Sequence, residues 1–157
     1  LCALLLENYK KCKEIILVDL NEKRLASCKK ELNSETLKPD NTIIKENSFD
    51  LVFDTVGLEI TRQNAIKSVN PGGVIVHIGL TQPSGTFNFR KATLQEITFV
   101  GTYCYTNKDF QNTLNLLSKN VLGKLNWIEY RDLSKGFEAF KQIHDGTCSS
   151  PKIVLIP

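Results

Sequence analysis

The chain has 157 residues, of which 41% are hydrophobic and 24% are charged, and its formal net charge is +3. This composition predicts a folded domain with its own core and excludes an intrinsically disordered chain. Basic and acidic side chains are mixed along the sequence, so the charge pattern favours neither nucleic acid nor an anionic membrane as a partner. The apolar run over residues 1–6 is far too short for a membrane span.

Cysteine and histidine usage argues against a disulfide framework or a metal site within the chain. The five cysteines are scattered, their number is odd, and no two of them are spaced as C-x-x-C. The two histidines fall in different predicted elements. We therefore expect reduced thiols in a cytoplasmic protein, and no metal ligands in this chain. Because the chain begins with Leu1 and contains no methionine, we also expect it to be a piece of a longer protein.

Strands and helices are predicted to alternate along the chain. Short apolar runs that end at Asp or Gly predict buried strands, and amphipathic spacing behind an Asn or Ser cap predicts helices. In chain order the prediction is a helix at 1–11, a strand at 14–18, a helix at 21–32, a loop at 33–41, strands at 42–44 and 49–54, a helix at 59–69, a turn at 70–73, strands at 74–78, 85–89 and 97–105, helices at 107–120 and 134–144, and a strand at 151–156.

This alternation predicts an α/β fold with a doubly wound, Rossmann-like parallel sheet. The inner face of the second helix is predicted to carry Leu25, Ala26 and Cys28. Trp127 and the stripe formed by Phe137 and Phe140 are likewise expected in a core. Since ligands of doubly wound sheets bind at the carboxyl ends of the strands, the residues that follow each strand are the candidates for a site.

Asp19 is the sharpest of these candidates, because it ends a buried strand and precedes a helix. A carboxylate in this place can accept two hydrogen bonds from the vicinal hydroxyls of an adenosine ribose. It would repel a 2′-phosphate, which favours NAD over NADP. Arg24, one helical turn later, is placed to reach the same ribose. The alternative is that Asp19 only caps the helix.

Glycines follow two further strands, at Gly57 and Gly79. Without a side chain they would let a flat ring approach the backbone, although ordinary turn glycines would give the same pattern. The phosphate-binding pattern G-x-G-x-x-G does not occur in the chain. Either the fold is truncated at its N-terminal side, just after those glycines, or it is not a dinucleotide-binding fold; the missing start of the chain favours truncation.

Five runs in order resemble the nucleotide-binding half of the medium-chain, zinc-type alcohol and polyol dehydrogenases. They are Ile16-Leu17-Val18-Asp19-Leu20-Asn21-Glu22-Lys23-Arg24-Leu25, Phe49-Asp50-Leu51-Val52-Phe53-Asp54-Thr55-Val56-Gly57, Asn70-Pro71-Gly72-Gly73-Val74-Ile75-Val76-His77-Ile78-Gly79-Leu80, Ile97-Thr98-Phe99-Val100-Gly101-Thr102-Tyr103, and residues 133–146 with the closing Lys152-Ile153-Val154-Leu155. Each run alone is weak evidence for the resemblance, but the ordered set covers almost the whole chain. It looks closest to the polyol, threonine and sugar-phosphate dehydrogenases.

The resemblance implies a cofactor role, with NAD as the cofactor, for nine residues. They are Asp19 and Arg24 at the adenosine ribose, Thr55, Val56 and Gly57 on the adenine side, Ile78, Gly79 and Leu80 near the nicotinamide ribose, and Val100 near the nicotinamide amide. It also implies that residues 99–103 form a sheet edge that pairs with a second subunit in a homo-oligomer.

The resemblance implies that residues 1–157 form an NAD(P)-binding Rossmann-like domain with a C-terminal tail strand. The catalytic zinc and its ligands would then belong to an N-terminal domain that this chain lacks, and the chain alone would not catalyse. In the intact enzyme, zinc would polarise the oxygen of a small alcohol or polyol while hydride passes to the nicotinamide.

Two rival enzymes and one non-enzymatic protein share parts of this pattern. An S-adenosylmethionine methyltransferase also places an acid after its second strand, but it should close with an antiparallel hairpin. A zinc-free quinone reductase of the same superfamily differs only in lacking upstream zinc ligands. A nucleotide-sensing Rossmann module would lack them too.

Overall fold

The computed structural model describes residues 1–39, 44–123 and 125–157. The described chain contains α1 (Cys2–Leu4, continued by a π-helical turn at Leu5–Tyr9), β1 (Ile16–Val18), α2 (Glu22–Glu31), β2 (Glu35–Leu37), β3 (Phe49–Asp54), α3 (Glu59–Ser68), β4 (Val69–His77), α4 (Phe89–Leu94), β5 (Thr98–Gly101), α5 (Asn107–Ser118), β6 (Ile128–Asp132), α6 (Gly136–His144, preceded by a 3₁₀ turn at Leu133–Lys135) and β7 (Lys152–Ile156). Two compact units are formed, one by Leu1–Thr42 with Lys108–Pro157 and the other by Ile43–Asn107.

The first unit contains two parallel strand pairs, β1 with β2 and β6 with β7. Helix α2 begins where the Asn21 side chain accepts a hydrogen bond of 3.1 Å from the Arg24 amide, as the sequence predicted. This bond satisfies one of the amides that the first helical turn leaves without a partner. Leu25 on the inner face of α2 is buried, but Ala26 is exposed, contrary to the prediction.

The second unit is a three-stranded parallel sheet in the order β3-β4-β5, with α3 packed against it. Its core consists of Ala65 and Ile66 from α3 with Val69 and Ile75 from β4. Val69 and Ile75 are almost fully enclosed, so β4 is the central strand in burial as well as in order. The predicted turn at 70–73 lies within β4, where Gly72 has a φ of +72° and the pairing with β3 shifts register.

All strand pairs among the described residues are parallel, which confirms the predicted α/β class. The strands at 14–18, 49–54, 74–78 and 151–156 and all five helices form near their predicted bounds. The predicted strand at 42–44 falls mostly on residues outside the described part of the chain. No helix in the described segments has the length and apolar character that a membrane crossing requires.

The structure differs from the predicted strands at three places, each for an identifiable reason. β2 forms inside the predicted loop, because Glu35–Leu37 finds a parallel partner in β1 that its polar sequence does not reveal. β6 was not predicted, since Ile128–Asp132 mixes charged and apolar residues and is specified by pairing with β7. Residues 85–89 do not form a strand: the Thr86 amide donates to the Glu59 carboxylate, and the Asn88 side chain caps α4 by accepting from the Lys91 amide.

The predicted aromatic core of α6 is also wrong. Phe137 and Phe140 are 84% and 72% exposed. Helical spacing correctly places them on one stripe, but spacing does not say whether anything covers that stripe. The turn before α6 is capped by Asp132, which accepts from the Ser134 amide, rather than by the predicted Ser134 side chain.

Candidate functional site

Asp19 follows the end of β1 and is fixed by two contacts through different oxygens. Its Oδ1 accepts a hydrogen bond of 2.9 Å from the Asn21 amide, and its Oδ2 lies 3.0 Å from Nη1 of Arg24. The side chains of Asp19 and Arg24 are 24% and 32% exposed. The helix cap is Asn21, so capping does not explain Asp19. The carboxylate therefore has a fixed orientation and an accessible surface, as a binding group requires.

Asn21 has a second role that the sequence did not reveal. Its Nδ2 donates to the carbonyl oxygens of Gly146 and Cys148, at 2.9 and 3.1 Å. These two residues follow α6, more than 120 positions away, so no local pattern predicts the contact. Through Asn21, the loop that carries Asp19 is tied to the segment that leads into β7.

Cys28 lies near the Asp19–Arg24 pair on the side of α2. Burial raises the pKa of its thiol, and the negative charge of Asp19 acts in the same direction. Since the thiolate is the reactive form, a raised pKa makes Cys28 a poor nucleophile. It is a packing residue, in agreement with its predicted place on the inner side of the helix.

In the second unit, Asp54 ends β3 and organises the turn that follows. Its side chain is almost fully buried, and its Oδ1 accepts from the amides of Val56 and Gly57 at 3.1 and 2.9 Å. Its backbone oxygen accepts from the amides of Ile78 and Gly79 at 2.9 and 3.1 Å. One residue thus anchors both turns that the sequence nominated, at 55–57 and at 78–80.

Gly57 and Gly79 are required because these two turns touch each other. A Cβ on Gly57 would lie 2.0 Å from the Gly79 carbonyl oxygen, and a Cβ on Gly79 would lie 2.1 Å from the Val56 carbonyl carbon. Gly57 also has a φ of +76°, which favours glycine. The glycines therefore permit close contact between these two backbones. Thr55, Val56 and Leu80 are exposed beside them.

The segment that follows the second turn is held by side chains of α3. Arg62 donates through Nη1 to the carbonyl oxygens of Gly57 and Gln82, at 2.9 and 3.3 Å, and through Nη2 to the Ser84 carbonyl. Glu59 accepts from the amide and hydroxyl of Thr86. These hydrogen bonds from Thr86 lower the pKa of the Glu59 carboxyl. The sequence analysis missed both residues, which occupy ordinary helical positions.

Val100 lies in β5, at the edge of the three-stranded sheet. All four residues of β5 are exposed, and Val100 is opposite Val76 of β4 in the register. The strand ends at Gly101, so the sheet edge covers only part of the predicted 99–103, and Tyr103 beyond it is exposed.

Zinc does not fit the residues that the structure describes. Within 1–39, 44–123 and 125–157, no three side chains of His, Cys, Asp or Glu come together as a metal site would require. The five cysteines are free thiols at separate places. No step of chemistry is assigned to a metal held by this chain. The methyltransferase alternative also loses its support, because β6 and β7 pair in parallel instead of forming an antiparallel hairpin.

Comparisons with known proteins give one consistent result. The family model described as zinc-binding dehydrogenase matches residues 1–119. A probable D-xylulose reductase A of Neosartorya fischeri is 28% identical over 144 residues, which cover 82% of this chain and 40% of that protein.

Two solved structures share the fold at low sequence identity. The L-idonate 5-dehydrogenase of Escherichia coli has a TM-score of 0.81 at 21% identity, covering 98% of this chain and 46% of its own. An Escherichia coli protein described as a short chain alcohol dehydrogenase, in complex with NADH, has a TM-score of 0.77 at 18% identity, with coverages of 90% and 44%. The chain spans less than half the length of each of these relatives.

Proposed function

The chain belongs to the zinc-binding dehydrogenase family, and from that premise we propose that it is the nucleotide-binding part of an NAD(H)-dependent alcohol, polyol or sugar-phosphate dehydrogenase. The family consists of oxidoreductases. The proposal extends the family's chemistry to this chain.

The observation that carries the proposal is the fixed, accessible carboxylate of Asp19. Oδ1 and Oδ2 each have one protein donor, at 2.9 and 3.0 Å. A carboxylate has about four acceptor positions, so the ribose hydroxyls can bind to those that remain. The negative charge disfavours a 2′-phosphate, which supports NAD rather than NADP. Arg24 lies beside the same hydroxyls.

The paired turns supply the second group of contacts. Thr55, Val56 and Gly57 are proposed to line the adenine side, and the segment of Ile78, Gly79 and Leu80 is proposed to pass the nicotinamide ribose. The exposed Val56 and Leu80 side chains offer apolar contact, and the glycine backbones hold the two turns together. Val100, exposed on β5, is proposed to approach the nicotinamide amide.

Catalysis and substrate choice are proposed to depend on a zinc-bearing domain elsewhere in the intact enzyme. NAD, when bound, would accept hydride from a small alcohol or polyol. The residues described here would bind and orient that cofactor. A zinc-free quinone reductase of the same superfamily is the alternative, and the presence or absence of zinc ligands in the intact protein separates the two.

We also propose that the protein forms a homo-oligomer through the edge at 99–103 and resides in the cytoplasm. An exposed strand edge with apolar side chains is suited to pairing with a second copy. The five free thiols suit a reducing compartment. Light scattering would test the first proposal: Tyr103→Lys, at a site 82% exposed, should lower the mass. An unchanged mass would contradict it.

The cofactor proposal is tested by NADH binding to the 157-residue chain and to an Asp19→Asn variant. NADH fluorescence or calorimetry should show weaker binding by the variant. Asp145→Asn is a matched control, because Asp145 is an exposed carboxylate beyond α6 with no assigned role. Equal weakening by both variants would show a general charge effect and refute the role of Asp19.

A further inference from the structure

We propose that His77 is a positioning residue for the Val56–Gly57 turn, that it acts through the Asp54 carboxylate, and that its protonation makes the geometry of the turn depend on pH. The effect on dinucleotide binding rests on the proposed function, whereas the effect on the turn does not.

The two side chains face each other at the carboxyl ends of neighbouring strands. Asp54 and His77 are register partners in the parallel pair β3 and β4. His77 Nε2 lies 3.6 Å from Asp54 Oδ2, and the side chains are 16% and 2% exposed. Neither of these two atoms has a hydrogen-bond partner. Two buried polar atoms without hydrogen-bond partners thus lie 3.6 Å apart, just beyond hydrogen-bond distance of each other.

The Asp54 carboxylate is engaged on one side only. Its Oδ1 holds the amides of Val56 and Gly57, while Oδ2 faces the imidazole. A shortening from 3.6 Å to a charge-assisted bond of about 2.8 Å requires a movement of less than one ångström. Because both oxygens belong to one rigid group, that movement also changes the Oδ1 contacts with the turn.

The protonation state of His77 determines whether its Nε2 always carries a hydrogen that it can donate to Asp54. A neutral imidazole carries its hydrogen on either nitrogen, and with the hydrogen on Nδ1 the Nε2 lone pair faces a carboxylate oxygen. A protonated ring donates from both nitrogens and adds a positive charge beside Asp54. The acidic form therefore holds the carboxylate, and with it the turn, more firmly.

Among the described residues, Asp54 is the charged group that the structure places against His77. From the other neighbouring strand, β5 contributes the Phe99 ring, with centroids 5.6 Å apart, and Phe87 packs on Phe99. A movement of Asp54 can also affect the turn at 78–80. The Gly57 backbone contacts Gly79, and the Asp54 carbonyl oxygen holds the amides of Ile78 and Gly79.

The test is a pH titration of the full 157-residue chain, followed by amide and imidazole NMR between pH 5 and 8. The chain has two histidines, so His144, exposed on α6, is a natural control. In the wild type, the amide shifts of Val56 and Gly57 should change together with the imidazole shifts of His77. The transition should disappear from both amides in His77→Gln, which cannot be protonated, and should remain in His144→Gln.

Several results would overturn the inference. Amide shifts of Val56 and Gly57 that stay constant in the wild type from pH 5 to 8 would overturn it, and this measurement requires no variant. So would a transition that persists in His77→Gln or disappears in His144→Gln. If His77→Gln does not fold, Asp54→Asn provides the second comparison: the pH dependence of the two amide shifts should be much smaller than in the wild type, and an unchanged pH dependence would overturn the inference.

NADH binding over the same pH range separates this inference from the proposed function. If both hold, NADH affinity should be at least about fivefold higher at pH 5 than at pH 8, and this difference should vanish in His77→Gln. Amides that titrate without a change in affinity would support the positioning role and refute its link to the cofactor. Absence of NADH binding at every pH would refute the proposed function alone.

Discussion

Replacing Asp19 with Asn tests whether this carboxylate binds the ribose and selects the cofactor. The change keeps the size of the side chain and an oxygen for the Asn21 amide, but it removes the charge that pairs with Arg24 at 3.0 Å. Because both side chains are partly exposed, the lost ion pair should lower the free energy of unfolding by only about 0.5–1 kcal/mol. The variant should therefore remain folded.

The expected loss of binding is larger than the loss of stability. Two charge-assisted bonds to ribose hydroxyls would contribute about 1.5 kcal/mol each at the lower end of their range, because Asp19 is partly solvated. Asn retains one acceptor and offers a donor, so about half of this should be lost. NADH should then bind about tenfold more weakly, the equivalent of about 1.4 kcal/mol.

The ratio of the two cofactors is the more specific measurement. In Asp19→Asn the repulsion of a 2′-phosphate disappears and Arg24 loses its carboxylate partner, so NADPH affinity should rise while NADH affinity falls. Calorimetric titrations of the wild type and the variant with both cofactors give this ratio. An unchanged ratio, together with unchanged NADH affinity, would refute the assignment of Asp19.

Three further predictions concern the structures that support the two groups of site residues. Gly57→Ala should lower the free energy of unfolding by more than about 2 kcal/mol in thermal denaturation, because its Cβ would collide with the Gly79 carbonyl and its φ is positive. Gly123→Ala, which is also at positive φ but in open space, is the control and should lower the free energy of unfolding by less. Asn21→Ala should lower the free energy of unfolding by about 1–2 kcal/mol, since it removes the helix cap and the hydrogen bonds to Gly146 and Cys148. A loss no larger than that of an ordinary exposed substitution would contradict these contacts. Hydrogen bonds from Thr86 lower the folded-state pKa of Glu59 from its ordinary value of 4.5, so their stabilising effect is present above that value and is lost as the pH falls through the lower folded-state pKa. The Thr86 amide should therefore lose protection from hydrogen exchange in acid. In the Glu59→Gln variant, which has no carboxyl group at this position, the protection of the Thr86 amide should not show this pH dependence.

The sequence predicted those parts of the fold whose signal is local. Apolar runs that end at Asp19, at Asp54 and before Gly79 identified the strands. Asn21 was recognised as a cap because the helix signal begins immediately after it. These inferences need only the chemistry of neighbouring residues, and the structure agrees with them.

The features that sequence analysis missed depend on partners distant in the chain. The polar segment Glu35–Leu37 becomes a strand only because β1 offers its edge. The contact between Gly57 and Gly79 and the pairing of Asp54 with His77 depend on the register of β3 and β4, which no local pattern specifies. Phe137 fitted an apolar stripe, but whether a stripe is covered depends on the rest of the fold.

A titration of the isotopically labelled 157-residue chain with NADH, followed by amide chemical shifts, tests the binding assignment most directly. Saturable shifts should appear at Asp19 and Arg24 and in the turns at 55–57 and 78–80. A titration without saturable shifts, or with shifts confined to other parts of the chain, would contradict the proposal that this chain binds the dinucleotide.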